Sequence, residues 1–362
     1  MIAAQEIARR RRVALPAPRG PLSERLMWLL RKPPGTNEEP CARPVPPSAD
    51  VLLDEDIQLS LYLLNELHYS SLVGVDERWE WRASLGMLRE RLEELFEEAL
   101  HALVGPIDPA ETDCVGETLQ RLLEEDEGPP LSRFAEREAT HEQMLEHVIH
   151  RSAYQLKEAD PHSFALPRLA GGPKAALVEI QFDEYGEGRA GRIHAELFAG
   201  TMAALGLDPT YGAYIDRLPA ITLATVNLMT LFGIHRRWRG ALVGHLAVFE
   251  MTSSMPNRRY GNALRRLGHG REVTAFYDEH VVADAVHESI AAWDLADGLA
   301  RAEPDVAAAI VFGARALLAL EAIWARHLLS CWGDGRSSLR PESASAQRPL
   351  AAAGDGAPPV CA

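Results

Sequence analysis

Cysteine is scarce in this sequence of 362 residues, which contains four: Cys41, Cys114, Cys331 and Cys361. No two of them form a CxxC pair, and their spacing fits neither a disulfide framework nor a thiolate metal site. Such scattered cysteines are typical of a reducing compartment. We therefore expect a cytoplasmic protein whose chemistry does not depend on sulfur ligands.

Several other patterns are missing. No apolar run of transmembrane length is evident. The N-terminal segment MIAAQEIARRRRVALPAP lacks the apolar core that a secretory signal peptide has. The sequence has no P-loop, GxSxG, HExxH or strand-led GxGxxG motif. The glycine-rich GEGRAG lies within helical text with no preceding strand, so it is a weak phosphate-loop candidate. Nucleotide-binding, serine-hydrolase and zinc-protease classes are thereby disfavoured.

Positive charge is also in short supply. The chain has 37 Lys and Arg residues against 52 Asp and Glu residues, a formal net charge of -15. A surface of this sign repels nucleic acid and anionic membranes. We expect neither as a partner.

What the sequence has in abundance is helical periodicity. Between residues 51 and 335 apolar positions recur at helical spacing, with breakers such as GGPK and GLDPTYG between the segments. The pattern predicts an all-α bundle of seven or more helices. We expect residues 1–50 to form a disordered Pro/Arg-rich arm, 51–130 a helical extension, 131–335 the main domain, and 336–362 a disordered tail.

One predicted helix carries an unusual set of polar side chains. In FYDEHVVADAVHE, the spacings of four and three place His280, Asp284 and His287 on one helical face. Imidazoles and carboxylates on facing bundle helices are a common way to hold two irons, because oxygen and nitrogen donors suit both ferrous and ferric ions. The alternative is a solvated face in an acidic protein.

Further acidic residues and histidines occur in apolar segments of the predicted helices. HLAVFEMTSS supplies Glu250, and DEYGEGRAGRIHAELF supplies His194 with three acids upstream. In a regular helix His194 shares its face with Glu187 or Asp183, whereas Glu184 lies roughly 80° away. The glycines make a regular helix less certain here. Periodicity alone leaves all three acids open.

A rival cluster lies in HEQMLEHVIHR. Its candidate ligands lie within about two and a half helical turns, and they are His141, Glu142, Glu146, His147 and His150. Because this helix is strongly charged, we interpret the cluster as a solvated or ion-pairing face.

Together these stretches resemble the haem-oxygenase-like diiron oxidases and oxygenases, also described as iron-containing redox enzymes. The matching text is KEADPHSFALPRLAG, EIQFDEYGEGRAGRIHAELF, GALVGHLAVFEMTSS and FYDEHVVADAVHE, and the resemblance covers about residues 150–320. It implies a seven-helix haem-oxygenase-like fold that binds no haem, here with an N-terminal helical extension. It places the diiron domain in residues 131–335.

The resemblance also implies a ligand set and favours Glu184 over its neighbours. Glu250 would bridge the irons, and Glu158 would be an extra carboxylate of the kind found in N-oxygenating members. One iron would take Glu184, His194 and one histidine of the last helix, and the other would take the remaining histidine with Asp284. The six expected ligands are Glu184, His194, Glu250, His280, Asp284 and His287.

The implied cofactors are two ferrous ions, with dioxygen as co-substrate and an external electron donor. The reaction expected from the resemblance is N-oxygenation of a small amine or amino-acid-like metabolite, in specialised biosynthesis. The alternatives are desaturation or oxidative C–C cleavage or decarboxylation of an amino or fatty acid, and a non-catalytic metal-binding or scaffold protein. Asn227, His245 and Tyr277 are expected near the pocket, and an arginine of HRRWRG is a candidate clamp for a substrate carboxylate.

A homodimer is expected on two grounds. Dimers are usual for the family that the sequence resembles. In addition, VFGARALLALEAIWARHLL is apolar around most of its circumference and needs to be covered.

Overall fold

The structure is a computed structural model that describes residues 12–35 and 50–341, without the side chains of residue 282 and residues 284–286. Over these ranges helix predominates and no strand occurs, only an isolated parallel bridge between Val13 and Leu72. The all-α class is confirmed. The count of seven helices is not, because the described ranges divide into more helical segments than that.

Several of the connections between helices are short, and some of them are single 3-10 turns. In chain order they are α1 (Pro21–Leu30), α2 (Glu55–Glu66), α3 (Ala83–Val104), α4 (Val115–Glu124), α5 (Leu131–Arg137), α6 (His141–Gln155), α7 (Asp160–Ser163), α8 (Gly171–Glu184), α9 (His194–Ala204), α10 (Ala220–Ile234), α11 (Arg239–Met251), α12 (Ser254–Arg266), α13 (Arg271–Ser289), α14 (Gly298–Ala302) and α15 (Ala307–Gly333). A π-helical stretch, Ile290–Asp297, continues α13 into α14.

The centre of the bundle is the crossing of α11 and α15. A Cβ atom on Gly244 would collide with the Ile310 carbonyl, and one on Gly313 would collide with the Ala241 carbonyl. The two backbones therefore approach as closely as glycine allows. Helix α11 is buried along almost its whole length by this contact, which holds Glu250 inside the bundle near the end of the helix.

Helix α15 passes the length and composition test for a membrane span. Within the described ranges it is the one helix to do so, over Pro304–Gly333. The expectation that no apolar run reaches this length was therefore wrong. In the fold this helix packs against α11, and Arg151 and Glu111 form ion pairs with its charged residues Glu321 and Arg315. Its apolar surface is largely covered within the chain, which removes that argument for a homodimer.

Residues 12–35 correct part of the predicted N-terminal arm. Helix α1 buries Leu26 and Met27, and the first turn of α1 donates backbone N–H groups to Asp56 at 2.7 and 2.8 Å. Arg19 reaches the Ile215 carbonyl at 2.5 Å. The Pro/Arg-rich composition suggested an extended arm, but these tertiary contacts order the part that is described. Residues 1–11 and 36–49 lie outside the described residues.

The start of the predicted C-terminal tail is also packed. Ser338 is buried and contacts His150 Nε2 at 3.1 Å, while the Glu146 carboxylate accepts hydrogen bonds from its backbone and hydroxyl at 2.9 and 2.6 Å. On its other side His150 Nδ1 lies 2.7 Å from the Thr222 hydroxyl. The segment up to residue 341 is therefore part of the fold, and residues 342–362 lie outside the described residues.

The glycine crossing generates a stability prediction. Gly313→Ala should lower the free energy of unfolding by at least about 2 kcal/mol, because overpacking a close backbone contact forces the helices apart. Thermal unfolding would show this as a lower midpoint. Gly333→Ala is the matched control, since a Cβ atom at Gly333 meets nothing within 4 Å. Equal midpoints for the two variants would contradict the crossing.

His150 generates a pH prediction. Burial, with the neighbouring His327 and His147, holds the pKa of His150 well below its ordinary value. The unfolded chain binds a proton at this position below about pH 6.5 whereas the folded chain does not, so stability is full above that pH and falls as pH drops. His150→Asn should flatten the stability curve between pH 8 and 5.5, and His101→Asn, at an exposed position, should not. Parallel curves for all three proteins would refute this.

Candidate metal centre

The candidate metal centre includes the break between helices α8 and α9. Helix α8 ends at Glu184, and two 3-10 turns separate it from α9, which begins at His194. Glu187 has φ 55° between Gly186 (φ 66°) and Gly188 (φ 75°), a backbone conformation that glycine favours. The expectation that GEGRAG lies mid-helix was wrong. The break folds the chain back, so that Glu184 faces His194 across ten residues.

A first group of buried donors surrounds this contact. Glu184 Oε1 lies 3.1 Å from His194 Nδ1, and Glu158 Oε1 lies 3.4 Å from His280 Nε2. One ligand atom from each of these four residues falls within 4.8 Å of the others. The group draws on three parts of the chain: the turn after α6, the α8–α9 break and α13. All four residues are buried.

A second group shares one residue with the first. Glu184, Glu250 and His287 also place one ligand atom each within 4.8 Å of one another, and Glu250 Oε2 lies 3.4 Å from His287 Nδ1. The shared carboxylate is Glu184, whereas the resemblance implied that Glu250 bridges the two metals. The geometry also divides the histidines, because His280 lies with His194 and His287 lies with Glu250.

Hydrogen bonds outside the two groups orient their histidines. His280 Nδ1 donates to the Phe276 carbonyl at 2.8 Å, so its proton lies on Nδ1 and the lone pair on Nε2. His287 Nε2 lies 2.9 Å from the Asp183 carboxylate, which directs Nδ1 towards Glu250. A carboxylate behind a ligating imidazole is a common arrangement at metal sites. Asp183, left open as a ligand by the sequence, lies in this supporting position.

Asp284 is the expected ligand that the structure leaves open. Its backbone is part of α13, one turn after His280 and just under one turn before His287. Its side chain lies outside the described residues, so its role as a ligand stays a prediction.

The carboxylates and imidazoles shift one another's pKa values. Burial alone would raise the pKa of Glu184, but the nearby His194 outweighs it and the net shift is downward. Burial would lower the pKa of His194, and the Glu184 charge reverses this. His287 shows the same competition, with burial opposed by Glu250 and Asp183, and its pKa is raised to about 9. The buried carboxylates therefore favour the protonated form of the neighbouring imidazoles.

The donor set fits a metal better than it fits a closed ion-pair network. Glu158 Oε2 and Glu184 Oε2 are buried and accept no hydrogen bond. Such atoms cost free energy unless a cation or a donor faces them. A cavity of about 10 Å³ touches Glu158, Glu184, Glu250 and His280. Oxygen and nitrogen donors without thiolate suit iron in either oxidation state.

Other candidates from the sequence lie elsewhere. Glu187 pairs with Arg189 and Arg192 at 3.3 and 3.1 Å, near the surface. In the rival cluster His147 and His150 are buried, so the interpretation as a solvated face was wrong for them. Alternating burial along a charged helix concealed this from the sequence.

Most of the residues that the sequence places near the pocket also lie away from the two donor groups. Asn227 bonds to Asn65 and Gln58, and His245 Nδ1 lies 3.2 Å from His162 Nε2. Arg237 and Arg239 of HRRWRG pair with Glu97 and Glu303, and no arginine of this segment lines the cavities at the site, so the structure does not support a carboxylate clamp there. Tyr277 alone of this set lines a cavity next to the site.

Comparison with known proteins agrees with the site. Residues 145–322 match the model of a family described as iron-containing redox enzyme, and this segment contains every member of both donor groups. No curated protein matches the chain. Residues 145–322 therefore belong to the iron-containing redox enzyme family, which confirms the resemblance drawn from the sequence and makes the protein an oxidoreductase.

The shared position of Glu184 generates a metal-binding prediction. Glu184→Ala should lower ferrous binding from about two ions per chain to one or fewer, because both groups lose a carboxylate. Anaerobic titration with equilibrium dialysis measures the stoichiometry. Glu187→Ala is the matched control and should still bind two. Loss of binding in the control alone would mean that the wrong acid has been assigned.

Proposed function

We propose that the protein is a non-haem diiron oxygenase that reduces dioxygen and N-oxygenates a small amine. The observation that carries the proposal is the pair of buried donor groups that share Glu184. Two ions on a common carboxylate are held close together, and this is the arrangement that bundle proteins use for di-iron chemistry. Glu158, Glu184, His194 and His280 would hold one ion, and Glu184, Glu250 and His287 the other, with Asp284 as a further ligand.

Two ferrous ions at this site would supply electrons for dioxygen reduction, and an external donor would restore them. The chain's own residues provide the surroundings. Burial, with the charges of Glu158, Glu184 and Glu250, raises the pKa of Tyr154 well above its ordinary value, so its hydroxyl stays protonated. Burial lowers the pKa of His162 to about 4, so it stays neutral. These two buried, neutral side chains would help to keep water from the site, as oxidative chemistry requires.

The choice of nitrogen rests on Glu158. The resemblance associates an extra carboxylate at this position with N-oxygenating members, and Glu158 lies within the first donor group, 3.4 Å from His280. A carboxylate there would also attract a protonated amine towards the site. Oxidation at carbon is the competing outcome, and iron binding without dioxygen reduction would indicate a scaffold or storage protein.

The reaction prediction is tested by mixing ferrous-loaded protein with dioxygen and a panel of amines, amino acids and fatty acids. We expect amine-dependent oxygen consumption and a product that gains oxygen and keeps its carbon skeleton, identified by mass spectrometry. Glu158→Gln should reduce the rate by at least about tenfold while leaving Glu184 and His194 in place.

Other outcomes separate the alternatives. A product with a new alkene or lost carbon and no N–O bond would contradict nitrogen chemistry and leave the metal site standing. Tight binding of two irons without oxygen consumption for any panel member would favour the scaffold alternative. Cytoplasmic location and a homodimer remain proposals from composition and resemblance, and sedimentation at micromolar concentration tests the second.

A further inference from the structure

A cavity of about 270 Å³ lies beside the first donor group. Its wall extends from Asp126, which is exposed, to Glu158, which is buried and belongs to that group. Helices α5, α6, α11, α12, α13 and α15 contribute most of the rest of the wall. The volume is slightly below the range of about 300–1,000 Å³ typical of drug-sized ligands, so the cavity suits a small metabolite.

Besides Glu158 Oε2, three buried polar atoms on this wall have no hydrogen-bond partner. They are His147 Nδ1, Gln155 Oε1 and Tyr277 Oη, on side chains that are 3%, 9% and 1% exposed. Leaving such an atom unpaired costs about 1–3 kcal/mol. All three lie around the same cavity, and buried polar groups in folded proteins normally have a partner. They mark positions where a ligand with polar groups would be held.

The charge of the wall selects the kind of ligand. Asp126, Glu158 and Glu321 are carboxylates, and Arg151 is the one Lys or Arg side chain on the wall. Arg151 is committed to Glu321 through two hydrogen bonds of 2.9 and 2.7 Å and lies 3.9 Å from the centre of the Trp324 ring. The other basic group on the wall, His147, is kept neutral because burial lowers its pKa. An ammonium group is attracted to this wall, and a carboxylate is repelled.

The apolar part of the wall indicates the body of the ligand. Phe249, Tyr260, Tyr277 and Trp324 place aromatic rings around the cavity. Aromatic walls favour a flat or aromatic ligand through offset and edge contacts. A cationic end would point towards Glu158, and a hydroxyl on the body would pair with the unpartnered polar atoms.

We propose that this cavity binds a small primary amine that has an aromatic body and no carboxylate, with His147, Gln155 and Tyr277 as its specificity determinants. The inference rests on the proposed function for what happens to the nitrogen, but binding is independent of it. It also narrows the substrate class, because it excludes amino acids, whose carboxylate finds no unpaired cation on this wall.

Three probes with the same aromatic ring test the charge preference: tyramine, tyrosine and 3-(4-hydroxyphenyl)propanoate. Calorimetry on the full chain, metal-free and again ferrous-loaded without oxygen, should show tyramine binding at least about tenfold more tightly than either carboxylate. Equal or tighter binding of a carboxylate would overturn the proposal, and so would the absence of binding by all three.

Two variants test the location. Tyr277→Phe removes one hydroxyl and should weaken tyramine binding about threefold to tenfold. Ala322→Phe adds bulk to the wall and should abolish binding while the iron stoichiometry stays unchanged. Tyr214→Phe is the matched control, because the Tyr214 hydroxyl contacts Asp208 and does not line the cavity. Unchanged tyramine affinity in both wall variants would place the binding site elsewhere.

The same proteins distinguish the two proposals. If tyramine binds with the expected pattern but the ferrous-loaded protein consumes no oxygen with it or with any other amine, the reaction proposal fails and the pocket stands. If amine-dependent oxygen consumption is insensitive to Ala322→Phe, the pocket fails and the reaction stands.

Discussion

The contact between Glu184 and His194 is the interaction on which the site depends. Both side chains are buried, and a buried carboxylate is tolerated only when opposite charge or hydrogen-bond donors surround it. His194 and His287 face these carboxylates, and the carboxylates raise the pKa values of both imidazoles. A metal ion bound in place of their protons would satisfy the same carboxylates, so metal binding and the stability of this region are coupled.

The surrounding bundle is what makes such a burial possible. The glycine crossing of α11 and α15 builds a rigid apolar centre, and Glu250 projects from α11 within it. The turn after α6, the α8–α9 break and α13 bring in the remaining donors. The π-helical stretch after α13 adds an unusual backbone feature close to His287, and π-helical turns are frequent at functional sites.

The site and the adjacent cavity divide the chemistry. The donor groups are rich in paired charge, whereas the cavity wall keeps its arginine paired and leaves neutral polar atoms unpartnered. The first arrangement suits a metal, and the second suits an organic ligand with hydrogen-bonding groups. Glu158 belongs to both, so a ligand in the cavity would lie directly against the candidate metal centre.

The sequence by itself determined the helical class, because apolar periodicity follows from burial of one helical face. It also indicated the family and the residue types of the site, since His280, Asp284 and His287 share one helical face. It could not choose among Asp183, Glu184 and Glu187. That choice depends on a backbone break at residues 185–193, where positive φ values turn the chain back on itself.

Only the tertiary structure decided which side chains meet. It showed that Glu184 belongs to both donor groups, that Asp183 supports His287, and that His147 is buried beside a cavity instead of solvated. The packing of α1 and of Ser338 also escaped composition, because their order comes from contacts with distant residues. The local sequence pattern indicates the secondary structure that one segment prefers. Contacts between segments far apart in sequence depend on the packing of the whole bundle.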